Sequence, residues 1–378
     1  MQQETDLLVR LDVKPGAFME SQSGIQRNRP MIYCRQKAPA GRPSVAFVLV
    51  HPTSNFHGHY LIDPLVARGA AVLAVNTRYV GNDAMLLMER ALLDLGAGIR
   101  HLRDSGYEKV VLIGNSGGGS LAAFYQSQAE ELRFRETPDG RPVGAEPADL
   151  PAADAIALVC AHPGRADQLS SKIDASVSDE TDSSSLIGDL DMYAPDNGPP
   201  YDRAWLERYR MAQKARLDRI TARVVARIAT LEAQRPAATA DEAFVIHRTQ
   251  ADPRLLDLSL DSNDRVAGSI QGPAVDANYA PNGLARFCTL RSFLSQWSPA
   301  HSRANGPARL KETSCPVLVV EHSADQTVFP SHIAAWRAAC AGREAFHRLV
   351  GAPHYLDRHP DMIDELANVL IEWGTPAA

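Results

Sequence analysis

The sequence predicts an α/β fold, with a mostly parallel central sheet flanked by helices and a largely helical cap inserted after a strand at 155–161. Three observations predict it. Short apolar runs recur with helical segments between them, at Val45 to Val50, Ala70 to Val75, Val110 to Ile113 and Ala155 to Ala161. Runs that are apolar at nearly every position suit strands buried on both faces, as parallel sheets require. The alternation breaks off between about 162 and 311 and resumes beyond Pro316. Finally, Gly114-Asn115-Ser116-Gly117-Gly118 joins a β-branched run directly to a helical pattern, a tight strand-to-helix turn built from small residues.

Taken in order, Leu7 to Val13 and Arg29 to Arg35 read as strands around a turn at Pro15-Gly16. Leu61 to Arg68 reads as a short helix that Gly69 ends. Ala84 to Asp104 carries apolar residues at helical spacing. Gly119 to Glu131 reads as a helix with Leu121, Phe124 and Tyr125 on one side. Pro138 to Pro151 is a loop by composition. The stretch 165–200 is polar and punctuated, with an acidic and serine-rich run at Asp179 to Ser185 and a stop at Asn197-Gly198-Pro199-Pro200. Asp202 to Glu232 reads as a long amphipathic helix ending near Pro236. Its apolar face carries Trp205, Leu206, Tyr209, Leu217, Ile220, Val224 and Ile228. Asp241 to Gln250 reads as a further helix, and Tyr279 to Trp297 as a mixed, aromatic-rich segment. The core pattern then returns as strand Val317 to Glu321, helix Ser331 to Ala341, strand Ala345 to Leu349 and helix Met362 to Trp373. This divides the chain into a core, 1–161 with 312–378, and a cap, 162–311. The stretch 165–200 is expected to be the cap's least ordered part, since its composition offers little apolar area against its ordering entropy. Within it, Asp174 to Asp191 reads as a solvated loop, with a gate against anionic substrates as the functional alternative.

Composition narrows the class. The chain has 378 residues, 45% hydrophobic and 22% charged, with a formal charge of −6. No basic run offsets that charge, so a nucleic-acid partner is not expected. The five cysteines are scattered and odd in number, which suits reduced thiols in a cytoplasmic protein. The N-terminal residues lack a basic start followed by an apolar segment, so no secretory signal is expected. No apolar stretch approaches the roughly 18 residues that a membrane span needs. Nothing here fixes an oligomeric state, and a homodimer stays open.

The chemistry centres on Ser116. A serine hydroxyl is a poor nucleophile unless a base takes its proton and a carboxylate orients that base. Asp325 follows the strand Val317 to Glu321, and His354 follows the strand that ends near Leu349. Parallel strands share an exit side, so three strand ends deliver Ser116, Asp325 and His354 to one cleft. Asp357 and Asp361 fall after the histidine, and Glu321 precedes the loop, which leaves Asp325 as the acid and these as rivals. An oxyanion needs two N–H donors. Gly117, opening a helix, is the first, and the loop His51-Pro52-Thr53-Ser54-Asn55-Phe56-His57-Gly58 should supply the second. Pro52 has no N–H, so Thr53 is the expected donor and Ser54 the next. His51 reads as a loop-bracing residue. Asn115, His57 and Tyr279 are candidate substrate contacts. No metal-ligand spacing accompanies His57 and His59, and no dinucleotide fingerprint follows an early strand.

These residues resemble the α/β-hydrolase superfamily. Gly114-Asn115-Ser116-Gly117-Gly118 is similar to its nucleophile elbow, with Asp325 and His354 at its acid and histidine positions. The resemblance covers about 30–160 and 312–374. His51-Pro52 departs from the usual His-Gly start of the oxyanion loop, and the cap carries no family signal. The resemblance implies an acyl-serine intermediate and no cofactor, and the residues themselves offer no metal-ligand set. It leads to the expectation of a carboxylic-ester hydrolase acting on a small hydrophobic substrate. The size of the cap keeps a C–C bond hydrolase, lactonase or amidase with the same triad as an alternative. A non-catalytic small-molecule receptor on this scaffold is a third. Tyr193, Tyr201, Trp205, Tyr209, Tyr279, Phe287, Phe293 and Trp297 would either line an aromatic pocket or pack the cap's own core.

Overall fold

A computed structural model describes residues 4–15, 30–41, 43–234 and 240–375. Gly16, Arg29 and Pro236, which figure in the expected turn, second strand and helix end, lie outside the described residues.

Eight strands form one sheet: β1 (Thr5–Asp12), β2 (Met31–Ala38), β3 (Val45–His51), β4 (Ala71–Asn76), β5 (Lys109–Asn115), β6 (Ala155–Val159), β9 (Val317–His322) and β10 (Glu344–Leu349). Their spatial order is β1-β2-β4-β3-β5-β6-β9-β10. The β1–β2 and β2–β4 pairs are antiparallel, and every other pair is parallel. The period-two geometry of a strand splits each apolar run between two cores. Ala46, Val48, Val50, Leu73 and Leu112 face α2 (Met88–Asp104) and α3 (Gly118–Glu130). Phe47, Leu49, Val72, Ala74, Val111 and Ile113 face α1 (Ile62–Ala67) and α10 (Pro360–Gly374). Both faces are covered, which is why these runs show no polar alternation.

Between β6 and β9 the chain leaves the sheet. This insertion holds α4 (Arg165–Lys172), α5 (Arg203–Gln234), α6 (Ala274–Tyr279), α7 (Leu290–Gln296) and α8 (Gly306–Leu310), with a small two-stranded antiparallel sheet of β7 (Ala243–Val245) and β8 (Phe287–Thr289). After β9 comes α9 (Pro330–Cys340). The face of α5 expected to be apolar is buried, and Leu217, Ile220, Val224 and Ile228 pack with Leu169, Ile173, Phe293 and Trp297. Burial of side chains of this size contributes about 1.5–3 kcal/mol each.

Three expectations are corrected. The helix read from Ala84 starts at Met88, after a short 3₁₀ turn at Asp83–Met85. Its start is set by tertiary contacts: the Met88 amide donates to Ser295 Oγ at 2.8 Å, and Gln296 Nε2 donates to the Leu86 carbonyl at 3.0 Å. The helix read at 241–250 is instead β7 followed by irregular chain in which Arg248 sits at φ +52°, because β8 pairs with the backbone of 243–245. The stretch 165–200 is packed over its first part. Leu169, Ile173, Ala175 and Val177 are buried there, and the exposed residues cluster at 178–189. Its acidic groups at Asp174 and Glu180 are partnered: the Arg216 guanidinium donates to the Asp174 carbonyl at 2.7 Å and to Glu180 at 2.7 Å, and Asn278 donates to Asp174 Oδ2 at 2.8 Å. Composition counted those groups as solvated, and their partners lie more than 30 residues away.

Candidate active site

Ser116 sits at φ +52°, a left-handed conformation rare outside glycine. Its N–H donates to the Val159 carbonyl at 3.0 Å, and its own carbonyl accepts from the Gly119 N–H at 3.1 Å. These bonds hold a backbone whose strain costs of order 1–3 kcal/mol. The turn fits because the neighbouring glycines let backbones touch. A Cβ on Gly118 would lie 2.0 Å from the Val50 carbonyl oxygen, and one on Gly114 would lie 2.6 Å from Gly119 Cα. Gly119, which the motif did not single out, is equally constrained, since its Cβ would meet Ala161 Cβ at 2.4 Å.

His354 Nε2 lies 3.0 Å from Ser116 Oγ, and His354 Nδ1 lies 2.6 Å from Asp325 Oδ2. Asp325 is fully buried. Its Oδ1 accepts from the amides of Thr327 at 2.7 Å and Val328 at 3.0 Å, and its carbonyl accepts from Asn263 Nδ2 of the insertion at 2.9 Å. Burial alone would raise the Asp325 pKa. The His354 imidazole and the two amides outweigh it, and the carboxyl is held below its ordinary value. An ionised Asp325 accepts only, so His354 carries its proton on Nδ1 and offers Nε2 to the serine hydroxyl. Glu321, the rival acid, faces Arg348 at 3.7 Å instead.

The loop after β3 folds back on its own histidine. His51 Nδ1 accepts from the amides of Thr53 at 3.2 Å and Ser54 at 2.9 Å. Both expected oxyanion donors are therefore turned toward the imidazole. Gly117 opens α3, and a Cβ there would lie 2.9 Å from His51 Nε2 and 3.3 Å from His162 Nε2. The space expected for substrate over the serine is thus flanked by two imidazoles. His162 and Arg165 follow β6 directly and were not singled out from the sequence. Their signal was position, since β6 exits on the same side as β5. Arg165 Nη2 donates to Thr53 Oγ1 at 2.9 Å and pairs with Asp83 at 3.2 Å.

The remaining candidates sit elsewhere. His57 is held against β2, with Nε2 3.0 Å from the Tyr33 carbonyl. Asn115 Nδ2 donates to Cys160 Sγ at 3.3 Å, beneath the elbow. Tyr279 is exposed, and its hydroxyl accepts from Arg248 Nη1 at 2.9 Å. Tyr201, Trp205 and Tyr209 stack in series inside the insertion, and Phe293 and Trp297 join its core. A cavity of about 560 Å³ opens beside Thr53, lined by Asn82, Asp83, Pro281, Arg286 and Phe287. A larger one of about 940 Å³ lies between α4, α5 and α9, and neither cavity is lined by Ser116, Asp325 or His354.

Among the described residues, Cys160, His322 and Asp325 bring three potential metal-ligating atoms within 4.8 Å of one another. Their protonation suits hydrogen bonding better than ligation. Burial and the Asp325 charge push the Cys160 thiol well up, and His322 Nδ1 is 2.8 Å from the Pro353 carbonyl. All five cysteines are free and buried. Among the described residues, no helix is long and apolar enough to cross a membrane.

Sheet order, strand directions and the point of insertion define the α/β-hydrolase fold, and the chain has that fold. No family model matches the sequence, and no curated protein matches it. Among solved structures, the chain is similar to DcsB, determined in complex with its substrate analogue. That match has 12% identity and a TM-score of 0.52 over 98% of this chain and 100% of the other. It also resembles the siderophore hydrolase EstB from Aspergillus fumigatus, at 13% identity and TM-score 0.49 over 96% of each chain. A third is the esterase domain of a Rhodothermus marinus protein, at 14% and 0.46 over 97% of each. At these identities the likeness concerns the fold.

Proposed function

We propose that the protein is a serine hydrolase that cleaves a carboxylic ester of a small substrate through an acyl-serine intermediate. The observation that carries this reading is the hydrogen-bonded series Asp325–His354–Ser116, assembled from three strand exits. In this reading Ser116 Oγ attacks the carbonyl carbon while its proton passes to His354 Nε2. Asp325 stabilises the imidazolium that forms. His354 then gives the proton to the departing alcohol, and a water repeats the sequence to release the acid. Gly117 N–H, at the positive end of α3, faces the developing oxyanion. The hydrophobic preference draws little support from the insertion's aromatics, most of which pack its own core, and Pro281, Ala285 and Phe287 share the cavity beside Thr53 with Asn82, Asp83 and Arg286. The insertion would act as a cap that excludes water and sets specificity.

The test is turnover of short p-nitrophenyl esters, together with labelling by a fluorophosphonate. Wild-type protein should hydrolyse the ester and gain the phosphonyl mass on the Ser116 peptide, and Ser116→Ala should do neither. A folded wild-type protein with no turnover and no Ser116 adduct would overturn the reading.

A further inference from the structure

We infer that the side chain of His51, through its Nε2–H, supplies the second oxyanion donor, in the place where a backbone amide of the β3 loop was expected. The inference rests on the serine-hydrolase reading above and deepens it.

Four observations lead there. The amides of Thr53 and Ser54 both donate to His51 Nδ1, which occupies the two backbone donors expected of the loop. A ring nitrogen that accepts N–H groups has no proton, so the neutral ring carries its hydrogen on Nε2. That Nε2 approaches to 2.9 Å from where a Cβ of Gly117 would stand, beside the first free amide of α3. Among the described residues, the hydrogen bonds of the His51 ring fall on Nδ1, which leaves Nε2–H to face the space over Gly117. The ring also stays neutral. Burial, and then the Arg165 guanidinium, push its pKa down to about 3. It therefore donates a hydrogen bond without competing with His354 for the serine proton. His162 reaches the same point at 3.3 Å, but its Nδ1 is buried without a partner, so nothing fixes its tautomer.

The chemistry balances. As the Ser116 Oγ–C bond forms, the carbonyl π pair moves to oxygen, and the serine proton goes to His354. The oxyanion then accepts from Gly117 N–H and His51 Nε2–H. When the carbonyl reforms, the C–O bond to the alcohol breaks, and the alcohol leaves with the proton from His354. His51 keeps its own proton throughout.

Two substitutions separate donation from loop bracing. Asparagine presents its amide oxygen where Nδ1 stands, so His51→Asn keeps an acceptor for the loop amides and removes the outer donor. His51→Gln does the reverse, placing an N–H near the Nε2 position. With p-nitrophenyl acetate, His51→Asn should lower kcat by about 10²- to 10³-fold with KM changed only a few-fold. His51→Gln should retain at least about tenfold more kcat than His51→Asn. A trifluoromethyl ketone should lose affinity for His51→Asn in proportion to kcat/KM. Near-normal kcat in His51→Asn, or more activity in His51→Asn than in His51→Gln, would overturn the proposal in favour of bracing alone. Should either variant misfold, the wild-type protein labelled with ¹⁵N-histidine decides. The His51 Nε2–H resonance should move downfield when the trifluoromethyl ketone binds, and an unmoved resonance overturns the proposal. Failure of the serine-hydrolase reading is separately visible, as absence of wild-type turnover and of Ser116 labelling.

Discussion

Arg165 and Thr53 tie the insertion to the loop that follows β3: Arg165 Nη2 donates to Thr53 Oγ1 at 2.9 Å, while Nη1 donates to Gln296 Oε1 of α7 at 2.9 Å. Hydrogen bonds from a charged donor contribute about 1.5–3 kcal/mol each. Arg165→Met should therefore lower kcat/KM for an ester substrate by about tenfold or more. Arg165→Lys should recover only part, because an ammonium cannot reproduce the guanidinium's planar fork. Steady-state kinetics check this, and unchanged kcat/KM in Arg165→Met would mean that His51 alone positions the loop.

Asp325→Asn should keep the fold and lose activity. The amide oxygen can still accept from the Thr327 and Val328 amides, which preserves the loop. The charge that orients His354 and stabilises its protonated form is gone, so kcat should fall by about 10⁴-fold. Fluorophosphonate labelling of Ser116 should slow in parallel, with the melting temperature within a few degrees of wild type. Retention of more than a tenth of the activity would reassign the acid role.

The elbow glycines should separate into two kinds. Gly118→Ala drives a Cβ into the Val50 carbonyl at 2.0 Å, and Gly119→Ala drives one into Ala161 at 2.4 Å. Neither the Val50 carbonyl nor the short Ala161 methyl can swing aside, and overpacking of this kind costs about 1–3 kcal/mol or more. Gly117→Ala meets only the rings of His51 and His162, at 2.9 and 3.3 Å. Its stability should change little while its activity drops, since the rings must move. Thermal melts beside ester assays test the contrast, and equal loss of stability in all three variants would refute it.

Lys172 should make stability depend on pH above neutrality. It is buried at the C-terminal end of α4 and donates to Thr327 Oγ1. Burial is the main cause that pushes its pKa down to about 8, with Asp252 opposing and Arg254 adding to the shift. The sign follows from proton counts. Between pH 8 and about 10.4 the unfolded chain still holds the lysine proton that the folded protein has released, so stability rises with pH in that window. Wild type should gain about 2 kcal/mol relative to Lys172→Met between pH 8 and 10. Urea denaturation at both pH values measures it, and a flat difference would place the Lys172 titration near its ordinary value.

Much of this protein is legible from its residues alone. The strands with apolar runs are local: Val45 to Val50 and Val110 to Ile113 carry their own burial pattern, and β3 and β5 lie where those runs stand. The Ser116 elbow is also local, because its glycines answer to contacts made within one turn and the strand beside it. Chain order and the common exit side of parallel strands were enough to bring Asp325 and His354 toward Ser116. Tertiary structure decided whatever depends on partners far along the chain. The strand β7 is set by β8, the packing at 165–177 by Arg216, Arg248 and Asn278, and the start of α2 by Ser295. The site's finer chemistry belongs to that second kind. Which way the Thr53 and Ser54 amides point, and which nitrogen of His51 holds a proton, follow from a ring folding back on its own loop beneath Arg165. No periodicity or spacing records such a choice, because hydrogen bonds to a side chain are fixed by where the folded chain brings it.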